Sequence, residues 1–170
     1  MDETEGMAST SKPTRGCRVA LLLPTAGDGA HPALAGHDAL SHLRVVSLGS
    51  LMRVAASSSA AEDALEEQLL GEGITHLIAY SGAARVALGG LHLAFEGTLV
   101  IGGDGVPMSL EGASLVQFAY GSNDPVYSRN AEAVARAGGT RRLAGCGHDL
   151  ASYVASGVVT AFMMDVMRGG

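Results

Sequence analysis

The sequence predicts one α/β domain built on a mostly parallel sheet of about six strands, arranged as a three-layer sandwich. Two observations support this prediction. Short apolar runs alternate along the chain with stretches typical of helices, which is the order expected of parallel strands joined by helical crossovers. Several runs are continuously apolar, as in residues 17–23, and such runs are typical of strands buried on both faces of a sheet.

The elements follow from where these runs begin and end. The polar residues 1–16 predict a disordered leader, and the domain is expected over residues 17–170. Strands are predicted at residues 17–23, 43–48, 75–80, 97–101, 114–120 and 140–144. Helices are predicted at residues 32–43, 59–70, 83–88, 128–137 and 152–167. The second helix has a capping-box pair at its start, Ser59 with Glu62, and a glycine at its end, Gly71.

Composition narrows the classes of function. The net charge of -6, with three Phe, four Tyr and no Trp, argues against nucleic-acid binding. Two cysteines do not make a disulfide framework. The acidic N-terminus does not resemble a signal peptide, and the apolar C-terminal run is interrupted by Asp165 and is too short to span a bilayer. A cytoplasmic protein with no membrane segment is therefore expected.

The stretch from residue 75 to residue 88 is the most informative one. An apolar run stops abruptly at Ser81-Gly82, and a helix-forming run follows at once. A side chain on such a strand-to-helix corner projects at the carboxyl edge of the sheet, where Ser81 is placed as an exposed nucleophile and the Gly82 N–H as an oxyanion donor. The alternative is an ordinary turn in which Ser81 caps the helix.

Two further polar residues are expected at the same edge. Asp124 follows the fifth predicted strand and His148 follows the sixth. A serine hydroxyl needs an imidazole to accept its proton, and the imidazole needs a carboxylate to fix its tautomer. Asp104 competes with Asp124 as the acid because it too follows a strand and is flanked by glycines, and Asp124 could instead only cap the turn before Pro125.

These motifs resemble the α/β-hydrolase superfamily over about residues 17–168. The segments that carry the resemblance are 77–83, 119–126, which matches Gly-x-x-Asp-Pro-Val, and 145–148, which matches Gly-x-Gly-His. The resemblance implies a Ser81–His148–Asp124 triad and a second oxyanion donor at Ala26 or its neighbour Thr25. Ala79 and Ala83 stand where the family usually has glycine.

The resemblance also implies a truncated hydrolase. The two strands that usually open the fold and the cap domain are missing, and residues 102–113 form only a short loop in place of the cap. The site would then be open or covered by a partner chain. A homodimer that covers the bare edge of the sheet is one such arrangement.

Other sites are not supported by the sequence. His31, His37 and His42 are not spaced to lie on one helix face, so no metal site is predicted. Residues 27–29 lack both nucleotide-binding glycine patterns, so no cofactor is predicted. Four arginines lie between the candidate acid and base, where they could simply be solvated or could attract an anionic substrate or an acyl carrier protein: Arg129, Arg136, Arg141 and Arg142.

The sequence thus predicts an enzyme that acts through a serine acyl-enzyme. It would be an esterase or thioesterase if water is the acceptor, and an acyltransferase otherwise. A carrier-protein or coenzyme A thioester of natural-product biosynthesis is a reasonable substrate. The alternatives are a hydrolase-fold protein that only binds or assembles, and a lyase or isomerase that uses His148 without an acyl-enzyme.

Overall fold

A six-stranded parallel sheet lies at the centre of the computed structural model, which describes residues 18–25, 31–53 and 59–169. The strands run in the order β2-β1-β3-β4-β5-β6, and every neighbouring pair is parallel. Their bounds are β1 (Arg18–Leu23), β2 (Arg44–Ser47), β3 (Ile74–Tyr80), β4 (Gly97–Ile101), β5 (Val116–Gly121) and β6 (Arg141–Leu143). The predicted parallel sheet is confirmed, while the predicted leader at 1–16 lies outside the described residues.

Helices occupy most of the connections between strands. They are α1 (Gly49–Arg53), α2 (Ser59–Gly71), α3 (Ala83–Ala87), α4 (Tyr127–Ala137), α5 (Leu150–Ala155) and α6 (Val158–Gly169). Two predicted helices are wrong in detail. The expected helix at 32–43 is two 3-10 turns, Pro32–Leu34 and Asp38–Leu40, and the expected C-terminal helix is divided between α5 and α6 by Gly157, whose φ is 81°.

Two apolar clusters cover the two faces of the sheet. Alternate residues of β3 point to opposite faces, so Leu77 lies in one cluster and Ile78 in the other, and both are 0% exposed. The first cluster includes Leu69 of α2 and Val134 of α4, and the second includes residues of α5 and α6. The expected three-layer sandwich is therefore confirmed.

The parallel arrangement brings the carboxyl ends of all strands to one edge of the sheet. Loops after β3, β4, β5 and β6 leave this edge, and they carry every sequence-predicted triad candidate. In parallel α/β sheets, ligands bind beyond this edge. Across the described ranges, no helix is long and apolar enough to cross a membrane.

Candidate active site

The corner at Ser81 has an unusual backbone. Ser81 has a φ of 52° and is the one non-glycine residue with positive φ among those that the structure describes. Its N–H donates to the Ile101 carbonyl at 3.1 Å, and its carbonyl accepts from the N–H groups of Ala84 and Asp104 at 3.1 and 3.0 Å. These bonds tie the corner to the loop after β4 and hold a backbone conformation that residues other than glycine rarely adopt.

Small residues make room for this corner. Ala79, Ala83 and Ala84 are each 0% exposed and pack in the core around the turn. Ala79 and Ala83 are the two residues that stand in place of the expected glycines. A Cβ added at Gly82 would lie 3.1 Å from the Met52 side chain, which leaves little space for a larger residue. No described residue accepts a hydrogen bond from the Gly82 N–H.

The structure brings Ser81, His148 and Asp124 into one hydrogen-bonded chain. The Ser81 Oγ lies 2.9 Å from His148 Nε2, and His148 Nδ1 lies 2.9 Å from Asp124 Oδ2. An ionised carboxylate only accepts hydrogen bonds, so the ring proton belongs on Nδ1 and Nε2 presents a lone pair to the serine hydroxyl. This is the tautomer that a general base needs.

The carboxylate of Asp124 is buried but well bonded. Its side chain is 0% exposed, whereas the side chain of His148 is 32% exposed. Asp124 Oδ1 accepts from the Val126 N–H at 2.9 Å, and Oδ2 accepts from the Tyr153 hydroxyl as well as from the imidazole. Such donors offset the cost of keeping a charge out of water.

Close backbone contact joins the acid loop to the histidine loop. The Asn123 N–H donates to the Cys146 carbonyl at 3.0 Å, and the Ser122 N–H donates to the Leu143 carbonyl at 2.8 Å. A Cβ at Gly121 would lie 2.1 Å from the Cys146 carbonyl oxygen, so only glycine fits at the end of β5. The missing side chain therefore lets Asp124 reach His148.

Tyr80 links the serine corner to the histidine loop. Its hydroxyl donates to the His148 carbonyl at 2.7 Å, and its ring stacks on the imidazole at a centroid distance of 5.6 Å. Partial burial, with the nearby carboxylates of Asp149 and Asp124, raises the pKa of the Tyr80 phenol, which keeps it a donor. Asp149 caps α5 by accepting from the Ser152 N–H at 2.8 Å.

Comparison with known proteins identifies the fold. No protein-family model and no curated protein matches the chain, but solved structures do. The hydrolase MGS-MChE2 from a lagoon-sediment metagenome of Mar Chica, Morocco, is 11% identical with a TM-score of 0.59, and the match covers 88% of this chain and 91% of that one. The chain has the α/β-hydrolase fold.

Two further hydrolase-fold structures give the same result. A protein from Thermoplasma acidophilum, described as a predicted CIB-like hydrolase, is 13% identical with a TM-score of 0.58, and the match covers 90% of this chain and 87% of that one. Est1E from Butyrivibrio proteoclasticus is 9% identical with a TM-score of 0.52, and the match covers 92% and 90%. The fold predicted from the motifs is thus confirmed at very low sequence identity.

Within this α/β-hydrolase fold, the second candidate acid has other partners. Asp104 accepts from the Arg129 guanidinium at 3.1 Å, from the Asn130 amide at 3.2 Å and from the Gly105 N–H at 3.1 Å. Partial burial acts against ionisation, but the bonds from Asn130 and Arg129 outweigh it and lower the pKa of the Asp104 carboxyl. Asp104 therefore links the loop after β4 to helix α4.

The four arginines singled out in the sequence are all exposed. Arg129 binds Asp104, and Arg136 pairs with Glu132 one helical turn away at 2.9 Å. The Arg142 guanidinium lies 3.7 Å from the centre of the Tyr127 ring, a cation–π contact. Three of the four thus already have partners within the chain, while Arg141 at the start of β6 is exposed.

Other candidates fall outside the site or outside the described residues. Ala26, the expected second oxyanion donor, is not among the described residues, whereas its neighbour Thr25 is. Cys146 is buried, and burial raises the pKa of its thiol, which disfavours a thiolate nucleophile. Within the described ranges, no group of three or more His, Cys, Asp and Glu side chains could hold a metal ion.

Sequence reasoning missed two residues of the site. Tyr80 bonds to the backbone of the histidine, and Tyr153 bonds to the acid. Tyr80 lies inside the motif segment 77–83 but was given no role there, and Tyr153 lies outside all three motif segments. Their apolar neighbours place each in a predicted strand or helix, where a tyrosine resembles an ordinary core residue. Only the position of Tyr80 next to Ser81 offered a signal.

Proposed function

We propose that the protein is a serine-nucleophile enzyme that transfers acyl groups through an acyl-enzyme on Ser81. The observation that carries the proposal is the 2.9 Å contact between Ser81 Oγ and His148 Nε2 at a corner held in positive φ. A hydroxyl at such a corner is accessible, and a neutral imidazole beside it can accept its proton.

The proposed reaction has two halves. In the first, Ser81 Oγ attacks the carbonyl carbon of an ester or thioester while its proton passes to His148 Nε2. The tetrahedral intermediate then collapses, the bond to the leaving alcohol or thiol breaks, and the imidazolium returns the proton to that group. Asp124 keeps the imidazole in its tautomer and stabilises its cation throughout.

The second half removes the acyl group. Water or another nucleophile gives its proton to His148 Nε2 as it attacks the carbonyl carbon of the acyl-enzyme. The second tetrahedral intermediate then collapses, the bond from the acyl carbon to Ser81 Oγ breaks, and the imidazolium returns the proton to Oγ. The Gly82 N–H would stabilise the oxyanion in both halves, with a second donor from the loop after β1 at Ala26 or Thr25. One such donor typically accounts for a rate factor of about 10²–10³.

The acceptor decides between an esterase or thioesterase and an acyltransferase. Exposed Arg141 and Arg142 near the histidine loop would favour an anionic substrate, such as a coenzyme A thioester or an acyl group on an acidic carrier protein. This part of the proposal predicts that k cat/KM for coenzyme A thioesters falls with added salt more steeply than for neutral esters.

A serine-reactive probe tests the nucleophile. The wild-type chain should react stoichiometrically with a fluorophosphonate and hydrolyse activated esters, and Ser81→Ala should lose the labelling and at least about 10³-fold of the turnover. Ser41→Ala is the matched control, because this exposed hydroxyl bonds to the Asp38 carbonyl within its own turn.

The outcomes separate the alternatives. Labelling that persists in Ser81→Ala removes Ser81 from the mechanism. A wild-type chain that never reacts, yet is stabilised against heat by a small ligand, supports the binding protein. Turnover without an acyl adduct on Ser81 by mass spectrometry supports lyase or isomerase chemistry at His148.

A further inference from the structure

A buried tyrosine completes the hydrogen bonding of the acid. Tyr153 lies on α5, the short helix that begins directly after His148 and its capping neighbour Asp149. The tyrosine is 0% exposed, and its hydroxyl lies 2.5 Å from Asp124 Oδ2. One segment of chain thus supplies both groups that bond to this carboxylate oxygen, the imidazole and the phenol.

The direction of each hydrogen bond is fixed by its partner. The Gly121 N–H, which can only donate, bonds to the Tyr153 oxygen at 3.0 Å. The phenol must therefore use its own proton toward Asp124, which as a carboxylate can only accept. The result is a directed chain from Gly121 through Tyr153 to the acid.

The backbone after β4 is shaped around this pair. Gly102 has a φ of 55°, and a Cβ added there would lie 2.9 Å from Asp124 Oδ2 and 2.9 Å from the Tyr153 hydroxyl. The carboxylate and the phenol thus pack together against a position that only glycine fills without strain. Strands β4 and β5 and helix α5 all contribute to this arrangement.

We propose that Tyr153 is a positioning residue of the active site, one that orients Asp124 toward His148 and shares the negative charge of its carboxylate through a second hydrogen bond. This inference rests on the proposed acyl-transfer function. A second donor on Oδ2 withdraws charge from the oxygen that faces the imidazole, so the imidazolium is stabilised less strongly and returns its proton to the leaving group more readily.

The surroundings support a donor that stays protonated. Burial, followed by the hydrogen bond to Asp124, raises the pKa of the Tyr153 phenol far above neutral pH, so the hydroxyl keeps its proton wherever the enzyme would work. The other titratable groups near this carboxylate are Tyr80, Tyr120 and Cys146, with Asp149 beyond them. Burial raises the pKa of Tyr80, Tyr120 and Cys146 as well, so all three groups should keep their protons and stay neutral at neutral and acidic pH.

Tyr153→Phe is the direct test, with Tyr120→Phe as the matched control. Tyr120 is also 0% exposed, but its hydroxyl donates to the Gly103 carbonyl and not to the acid. The measurement is k cat/KM for an activated ester against pH, together with the pH dependence of fluorophosphonate labelling.

The positioning role predicts a specific change in Tyr153→Phe. The acidic limb of the profile should move to higher pH by about half a unit to one unit, because a carboxylate that has lost one donor attracts the imidazolium more strongly. The kcat/KM value should fall about 10-fold. Tyr120→Phe should keep the wild-type limb. A Tyr153→Phe profile that superimposes on the wild type in pH, with Ser81 still labelled, would reduce Tyr153 to a core residue.

A second variant keeps the inference testable if Tyr153→Phe does not fold. A fluorinated tyrosine incorporated at position 153 retains the hydroxyl and makes it a stronger donor, so the acidic limb should move to lower pH. An unmoved limb overturns the inference. A wild-type chain that is never labelled by the fluorophosphonate would instead reject the proposed function. Failure of the inference and failure of the proposed function are therefore distinguishable.

Discussion

The sheet carries a polar cluster at each of its two edges, and the two differ in burial. The carboxyl-edge cluster consists of Ser81, Asp124, His148 and Tyr153, and the amino-edge cluster consists of Arg18, Arg44, Gln68 and Glu72. The His148–Asp124 contact is 2.9 Å and the Arg44–Glu72 contact is 2.8 Å. Distance alone therefore does not separate the candidate active site from an ion pair.

Burial of the acid does separate them, although the side chains of His148 and Glu72 are equally exposed at 32%. The Asp124 side chain is 0% exposed, while the side chains of Arg44 and Glu72 are 46% and 32% exposed. Removing the partner of a buried charge leaves it uncompensated, whereas water replaces the partner of an exposed one. The amino-edge cluster also borders a cavity of about 500 Å³, so an open volume does not mark the chemistry either.

The largest expected effect comes from neutralising the buried acid. Asp124→Asn keeps the size of the side chain but presents an amide to the imidazole, which favours the wrong tautomer. We expect k cat/KM for an activated ester to fall by about 10³–10⁴-fold. Glu72→Gln is the same change at the amino edge and should leave the rate unchanged. Retention of more than about a tenth of the activity in Asp124→Asn would argue against the triad.

The second-largest effect is expected at a glycine that lets two backbone segments lie close together at the carboxyl edge. Gly121→Ala would force a Cβ toward the Cys146 carbonyl at 2.1 Å, so we expect a loss of at least about 2 kcal/mol in urea unfolding and weaker serine labelling. Gly71→Ala at the end of α2 meets no described atom within 4 Å and should be neutral or stabilising by up to about 1 kcal/mol. Equal stabilities of the two variants would contradict the packing argument.

Most of the sheet could be predicted from sequence because most strands contain a short apolar run that ends at a polar residue, glycine or proline, as in residues 19–23 and 77–80. Predicted and observed strands differ by no more than two residues at any end, and for β4 both span residues 97–101. The helix predicted at 32–43 failed because Gly36, with a φ of 78°, separates two short turns. The sequence alone does not show whether a glycine within an apolar pattern, such as Gly157, ends a helix.

The choice of acid could not be settled from sequence because Asp104 and Asp124 both follow strands beside glycines. The sheet order supplies the missing information. β5, which ends before Asp124, pairs with β6, which ends before His148, whereas β4 lies one strand further away. Tyr153 could not be found either, since the contact of its hydroxyl with a carboxylate from another loop has no local sequence pattern.

A smaller effect concerns Asp104, whose side chain is 34% exposed, about as much as that of Glu72. Partial burial acts against ionisation, but bonds from Asn130 and Arg129 outweigh it and lower the pKa of the Asp104 carboxyl from 3.8. The carboxylate therefore stabilises the fold at pH values above its pKa in the unfolded chain. This contribution is lost as the pH falls through the lower pKa that the group has in the folded protein. Asp104→Asn should cost up to about 1 kcal/mol at pH 7. The difference from wild type should shrink below about pH 4, and a difference that grows there would contradict this assignment.

The smallest effect is expected at the exposed ion pair. Bonds from Arg44 and then Gln68 lower the pKa of the Glu72 carboxyl, but water screens the pair, so Glu72→Gln should lower the free energy of unfolding by less than about 1 kcal/mol. Because salt further screens exposed charges, the difference from wild type should be largest at low ionic strength and nearly absent at about 1 M salt. Urea unfolding at the two salt concentrations measures both quantities. A loss in the free energy of unfolding that exceeds about 2 kcal/mol, or that does not change with salt, would mean that the amino-edge cluster behaves as a buried network. Exposure would then no longer explain why only the carboxyl edge is sensitive to single substitutions.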